Sequence, residues 1–203
     1  ALREANSFVT MTEGEAKRLR GVVSPQAEIL TAPHPVYRQF PSSGLTKVEL
    51  RKKLKLPLDA PIALFFGFVR PYKGLNILLD AMAVLKSKGS NIHLMVAGEF
   101  WQDQADYEEQ IAELGINDMV TIRADYIPDS EAGLYFEAAD LFVAPYVGGT
   151  QSGSIKVAMG YQLPMVVTDT IVDELLESFP DQCVVVPHGV AESLAKGIRN
   201  ALR

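Results

Sequence analysis

Residues 62–98 read IALFFGFVRPYKGLNILLDAMAVLKSKGSNIHLMVAG, and this stretch decides the fold. IALFFG (62–67) and IHLMVA (92–97) are short apolar runs rich in β-branched and aromatic side chains, with no polar alternation, as expected of strands covered on both faces. Between them Leu75, Leu78, Leu79, Met82 and Leu85 recur at spacings of three and four, which places them on one face of a helix that Gly89 stops. A strand, a helix and a second strand in this order form a βαβ unit of a parallel sheet. Downstream the pattern repeats, with apolar runs at MVTIRA (119–124), LFVAP (141–145), PMVVT (164–168) and CVVVP (183–187). Helical candidates fall between or after them at Tyr107–Leu114, Ser130–Ala139, SIKVAMG (154–160) and Val190–Leu202. The expectation is an α/β fold, a Rossmann-like doubly wound parallel sheet of about six strands with helices on both faces.

Upstream the texture changes. SFVTM (7–11) reads as a strand, Glu13–Arg20 as a charged helix, and AEILTAPHPVYRQFPSSG as a strand followed by an irregular proline-rich connector, since proline donates nothing to a ladder. Residues 45–56, LTKVELRKKLKL, form a basic amphipathic helix, read first as a solvated face and otherwise as a membrane-surface or partner-binding element. The division is therefore a remnant of a preceding domain with its linker at 1–40, and the Rossmann-like domain at 41–203. The first residues, ALREAN, resemble neither a secretory signal nor a natural start, so the chain reads as part of a longer protein.

Composition narrows the function classes. Nineteen Lys and Arg against twenty-five Asp and Glu give a net charge of −6 in 203 residues, the wrong sign for a broad phosphate-backbone interface, so nucleic acid is not an expected partner. One cysteine, Cys183, lies in an apolar run; it permits no internal disulfide and reads as a structural thiol of a reducing compartment. No apolar run approaches the roughly 20 residues of a membrane-spanning helix. The expected location is cytoplasmic, with peripheral attachment at the inner membrane face left open for the longer protein.

In a sheet of order 3-2-1-4-5-6 the topological switch point lies between the first and fourth strands, and ligands bind beyond their carboxyl ends. The loop after the first strand, FVRPYKG, places Arg70 and Lys73 before Gly74 and the long helix. Two cations beside free backbone N–H groups and the positive end of a helix dipole make a seat for phosphate. The loop after the fourth strand, YVGGTQSGS, combines glycines and hydroxyls before a helix and reads as a second anion cradle. Taken singly, each loop is equally a solvated turn or a helix cap; their coincidence at one crevice favours an anion site. GxGxxG is absent after the first strand and GxxxxGK[ST] is absent throughout, which disfavours a dinucleotide site and a P-loop phosphotransferase. His34, His93 and His188 lack the short spacing of a metal pair, so no metal is expected. Trp101 and Tyr107 read as ordinary loop and helix packing rather than base stacking.

FFGFVRPYKGLNILLDA, YIPDSEAGLYFEAADLFVAPY, TQSGSIKVAMGYQLPMVVTD and VVVPHGVAESLAKGI, in this order, resemble the C-terminal, nucleotide-sugar-binding domain of retaining glycosyltransferases of family four, which have the GT-B fold. The similarity covers about residues 30–203. The resemblance implies two Rossmann-like domains facing a cleft, with most of the acceptor domain outside this chain. It implies that Arg70 and Lys73 hold the donor diphosphate and act as the catalytic cations, at a tighter spacing than the family's. It turns Gln151, Ser152, Gly153 and Ser154 toward sugar and phosphate, and brings the backbone at Ile127 to the nucleobase. Gly67, Gly74 and Thr150 complete the candidate donor-binding set. The family's two glutamates, seven residues apart, fall on Gly149 and Val157, and neither is acidic.

The implied activity is transfer of a sugar from a nucleoside diphosphate sugar to an acceptor, with retention and without a metal or other cofactor, by an enzyme of the hexosyltransferase type. The acceptor could be a glycan or a lipid-linked group, and the isolated chain is expected to transfer nothing. The alternatives are a nucleotide-sugar epimerase or phosphorylase on the same two-domain plan, and a non-catalytic nucleotide-sugar-binding or scaffold domain.

Overall fold

The computed structural model describes residues 4–38, 40, 42–101, 103–172, 176 and 179–203. Two strands, β1 (Ser7–Thr10) and β2 (Glu28–Thr31), flank helix α1 (Glu13–Arg20) and pair in parallel as a small sheet of their own. Thr12 caps α1, its side chain accepting from the Glu15 N–H. Residues 32–38 then cross irregularly to the main body, with Pro33 and Pro35 keeping the backbone out of a ladder; Gln39 and Pro41, at the expected domain boundary, lie outside the described residues.

The main body alternates helix and strand: α2 (Lys47–Leu54), β3 (Ile62–Phe66), α3 (Leu75–Ser87), β4 (His93–Ala97), α4 (Gln104–Glu113), β5 (Val120–Arg123), α5 (Asp129–Ala138), β6 (Leu141–Ala144), α6 (Gly153–Gly160), β7 (Met165–Thr168), β8 (Cys183–Val186) and α7 (Ala191–Ala201). The six strands β3–β8 form one all-parallel sheet in the order β5-β4-β3-β6-β7-β8. Counted from β3, this is 3-2-1-4-5-6, so the chain reverses direction across the sheet between β3 and β6.

Each central strand is buried on both faces because its residues alternate between two cores. Ile62 and Leu64 of β3, with Phe142 of β6 and Met165 of β7, pack beneath α2, α5 and α6. Ala63 and Phe65 of β3, with Val143 and Val166, pack beneath α3, α4 and α7. All five apolar residues that define the stripe of α3 are buried. At roughly 1.5–3 kcal/mol for each large side chain buried, these two layers dominate the stability of the domain. No described helix is long and apolar enough to cross a membrane.

The basic helix α2 is not simply a solvated face. Arg51 is only 7% exposed; its Nε donates to Ala138 O (3.1 Å), one terminal nitrogen reaches Ala60 O (3.2 Å), and the other pairs with Asp140. Asp140 also accepts from Lys47 Nζ (2.9 Å) and from the Ile62 N–H (2.7 Å). Burial would raise the Asp140 carboxyl, but these hydrogen bonds and the Lys47 and Arg51 charges outweigh it and hold the carboxyl below its ordinary value. The start of β3, the end of α5 and helix α2 are thus joined at one ion cluster. Arg51→Ala leaves Asp140 partly buried without its guanidinium and strips several carbonyls of their donor. The expected loss is about 3 kcal/mol, read as a lower urea midpoint; a loss below 0.5 kcal/mol would contradict it.

Cys183 is half-buried among core side chains, and burial pushes its thiol up to about 11, which keeps it protonated and inert at neutral pH.

Candidate functional site

The carboxyl ends of β3 and β6 lie side by side, and the loops that follow them interlock. Gly67 leaves β3 at φ +97°, a 3-10 turn covers Pro71–Lys73, and Gly74 opens α3 at φ +69°. A Cβ on Gly74 would stand 2.1 Å from Pro145 O, so only glycine permits this approach of the two loops. The Val147 N–H donates to Tyr72 O (2.8 Å) and closes the junction. On the other side, Ser152 caps α6. Tyr146 OH lies 3.1 Å from Ser152 Oγ and 3.2 Å from Ser154 Oγ, and the two seryl oxygens are 3.0 Å apart. This buried hydroxyl cluster fixes the first turn of α6, where N–H groups lack helical acceptors.

Between these loops is a cleft of about 490 Å³. Of the residues expected to bind there, Gly67, Lys73, Ile127, Gln151, Ser152, Gly153 and Ser154 line it; Arg70, Gly74 and Thr150 do not. Gly74 contributes the loop crossing instead. Thr150 donates its hydroxyl to Glu15 of α1, tying the second loop to the N-terminal segment. Val157 lines the cleft. Gly149 has φ +108°, a conformation hostile to glutamate or any other side chain.

Among the described residues of the cleft lining, the charged side chains are those of Asp129 and Lys73. Lys73 is 8% exposed, its Nζ lies 5.7 Å from the Tyr146 ring centre, and no carboxylate among the described residues pairs with it. Burial first, and the Arg70 charge second, lower its ammonium from 10.5 to about 8. A cation buried with no counter-ion among the described residues, beside the N-terminus of a helix, is the arrangement an anionic ligand completes. Arg70 itself turns to the outer rim, its guanidinium 3.8 Å from the centre of the Trp101 ring.

Several lining residues carry no signal in the local sequence. Tyr37, from the connector, stands over α6: its N–H donates to Lys156 O (3.2 Å), and its carbonyl lies so close to Gly160 that a Cβ there would approach to 1.9 Å. Its hydroxyl meets His34 Nδ1 at 2.8 Å. Tyr146 and Phe66 are also in the lining, and the only available hint was their position at strand ends. Trp101 and Tyr107 behave differently from each other: Tyr107 is buried against Phe100, whereas Trp101 is 58% exposed. Among the described residues no group of three or more His, Cys, Asp or Glu side chains converges as a metal site.

A six-stranded parallel sheet with helices on both faces and a cleft at its switch point defines a Rossmann-like domain, and its fold matches glycosyltransferases of the GT-B type. Residues 60–203 match the family described as Glycosyl transferases group 1, and the chain belongs to that family. It is 29% identical over 154 residues to the D-inositol 3-phosphate glycosyltransferase of Thermobispora bispora, across 70% of this chain and 35% of that protein. Its fold matches sucrose-phosphate synthase from Thermosynechococcus elongatus with a TM-score of 0.80 at 22% identity, over 99% of this chain and 50% of the other. It also matches HepE of Anabaena, solved in complex with UDP-glucose, with a TM-score of 0.81 at 17% identity, over 100% and 56% of the two chains. The chain spans about a third of the length of the curated relatives it matches.

Proposed function

We propose that this chain is the C-terminal, donor-binding half of a retaining glycosyltransferase, and that its cleft holds a nucleoside diphosphate sugar. The single observation that carries this reading is Lys73, a cation buried in the cleft without a carboxylate partner among the described residues. Family membership and the UDP-glucose complex of HepE support the sugar-nucleotide identity of the anion. The diphosphate lies between Lys73 and the first turn of α6, residues 151–154, with Arg70 at the rim beyond Lys73. Charge that develops on the departing diphosphate is then met by fixed cations and N–H dipoles, which is electrostatic catalysis without a required metal. Ile127 and the adjoining loop take the nucleobase. A preceding domain, of which residues 1–40 are the remnant, carries the acceptor wall and brings a glycan or lipid-linked hydroxyl to the anomeric carbon, in the cytoplasm or at the inner face of the membrane.

One observation favours a second reading, a domain that binds donor without transferring sugar: Gly149 and Val157 offer no carboxylate where the family has two. Two measurements test both. Calorimetry with UDP, GDP, ADP and their sugars is expected to show binding to the 203-residue chain, and none at all would sink the donor-site reading. The chain alone is expected to leave labelled donor untransferred, because one open wall cannot supply the proximity contribution of roughly 7–11 kcal/mol. Transfer restored on joining the preceding domain decides for the enzyme, and its absence with every acceptor class decides for the binding domain.

A further inference from the structure

Beyond the ends of β3 and β4 the two loops continue the pairing of their strands. The Val69 N–H donates to Glu99 O (2.8 Å), the Trp101 N–H donates to Val69 O (3.1 Å), and Val69 and Phe100 form a parallel bridge. This ladder carries Arg70 and Trp101 to the same rim of the site. The guanidinium lies 3.8 Å from the Trp101 ring centre, and Phe68 braces the ring from 5.3 Å at a tilt of 59°. Trp101 is 58% exposed, so its ring is not there to fill the core. Arg70 Nε is the opposite case: it is closed off from solvent and has no hydrogen-bond partner among the described residues.

A buried N–H without an acceptor is unfavourable, and the face of an indole ring does not satisfy a donor lying in the guanidinium plane. Contact with a ring uses only the face of a guanidinium. The terminal N–H groups, which unlike Nε are not closed off, stay available to an oxyanion, which is why an arginine over a ring can bind the ring and a phosphate together. The Lys73 N–H donates to Arg70 O (2.9 Å), so the two cations belong to one 3-10 turn at the mouth of the cleft.

We infer that Trp101 is a positioning residue for anion recognition: it holds the Arg70 guanidinium over its ring so that the terminal N–H groups meet the diphosphate oxygens of the donor. The inference rests on the donor-binding reading above and adds a residue to it. Trp101 touches no reacting atom; it acts through Arg70.

The chain contains one tryptophan, so its emission reports on this ring alone. The parent, Trp101→Ala, Arg70→Ala and the double variant are titrated with UDP, GDP, ADP and inorganic pyrophosphate by calorimetry, with emission followed in the parent and in Arg70→Ala. In the parent, emission is expected to change along the calorimetric binding curve. Trp101→Ala is expected to weaken diphosphate binding about threefold to tenfold, with no further loss once Arg70 is alanine, and Trp101→Phe to restore most of it. Equal losses in both backgrounds, or no loss while the parent binds, overturn the role of Trp101 and leave the donor site standing. Failure of all four probes to bind the parent overturns both.

Discussion

Lys73→Met is expected to stabilise the protein while weakening donor binding, and the two effects come from the same charge. In the unliganded chain the Lys73 ammonium is buried with no carboxylate partner among the described residues, and its value falls from 10.5 to about 8. Below about pH 8 the folded and unfolded chains both hold the proton, and the full desolvation penalty is present. Between about 8 and 10.5 the unfolded chain keeps a proton that the folded chain releases, so stability rises with pH across that window. A displacement of this size is worth on the order of 3 kcal/mol; part is offset by the lost contact with the Tyr146 ring. Methionine fills the same space without the charge, so at pH 7 the variant should be about 1–3 kcal/mol more stable and lose the rise above pH 8. Nucleoside diphosphate affinity should fall tenfold to a hundredfold, as expected for one charge-assisted hydrogen bond of about 1.5–3 kcal/mol. In the parent that affinity should itself weaken above pH 8, opposite in sign to stability. Thermal unfolding at pH 7 and pH 10, with calorimetry at both, reads all of this. A variant that is less stable at pH 7, or binds diphosphate as the parent does, would remove Lys73 from the site.

That opposition was half legible in the sequence. A lysine before a helix in a strand-end loop signals an anion, but the depth of its burial depends on Tyr146, which reaches it only once β3 and β6 are neighbours. Strand order was legible for a different reason: uninterrupted apolar runs spaced by helices leave few ways to wind a parallel sheet, and LFVAP falls beside IALFFG as the doubly wound pattern requires. Long-range pairings were not legible. Arg51 and Asp140 meet across 89 residues, and in the sequence the arginine is one cation among several on a basic helix. Tyr37 reaches the cleft because Gly160 lets its carbonyl press against α6, a steric fact between two segments with no shared period. Arg70 turns toward Trp101 because the loops after β3 and β4 stay paired beyond the sheet.

Gly74→Ala should be among the most damaging small substitutions in the chain, and Gly89→Ala separates its causes. Both glycines have nearly the same backbone conformation, φ +69° and +73°. Either alanine therefore meets the strain of a left-handed conformation, roughly 1–2 kcal/mol. A Cβ at Gly89 would find nothing within 4 Å, whereas one at Gly74 would lie 2.1 Å from Pro145 O and 3.1 Å from its carbonyl carbon. The neighbour is backbone at the end of β6, so it cannot rotate away; the β3 and β6 loops must separate by more than an ångström. That movement breaks the bond from the Val147 N–H to Tyr72 O and lets water reach Lys73. The expected loss for Gly74→Ala is therefore about 3–5 kcal/mol, against about 1 kcal/mol for Gly89→Ala. Because the clash opens the cleft, the folded fraction of Gly74→Ala should also bind nucleoside diphosphate more weakly, while Gly89→Ala binds as the parent does. Urea denaturation of the two variants, followed by calorimetry in the absence of urea, separates these effects. Equal destabilisation by both would mean that the close approach of Gly74 to Pro145 contributes nothing, and the junction that places Lys73 against the first turn of α6 would need another origin.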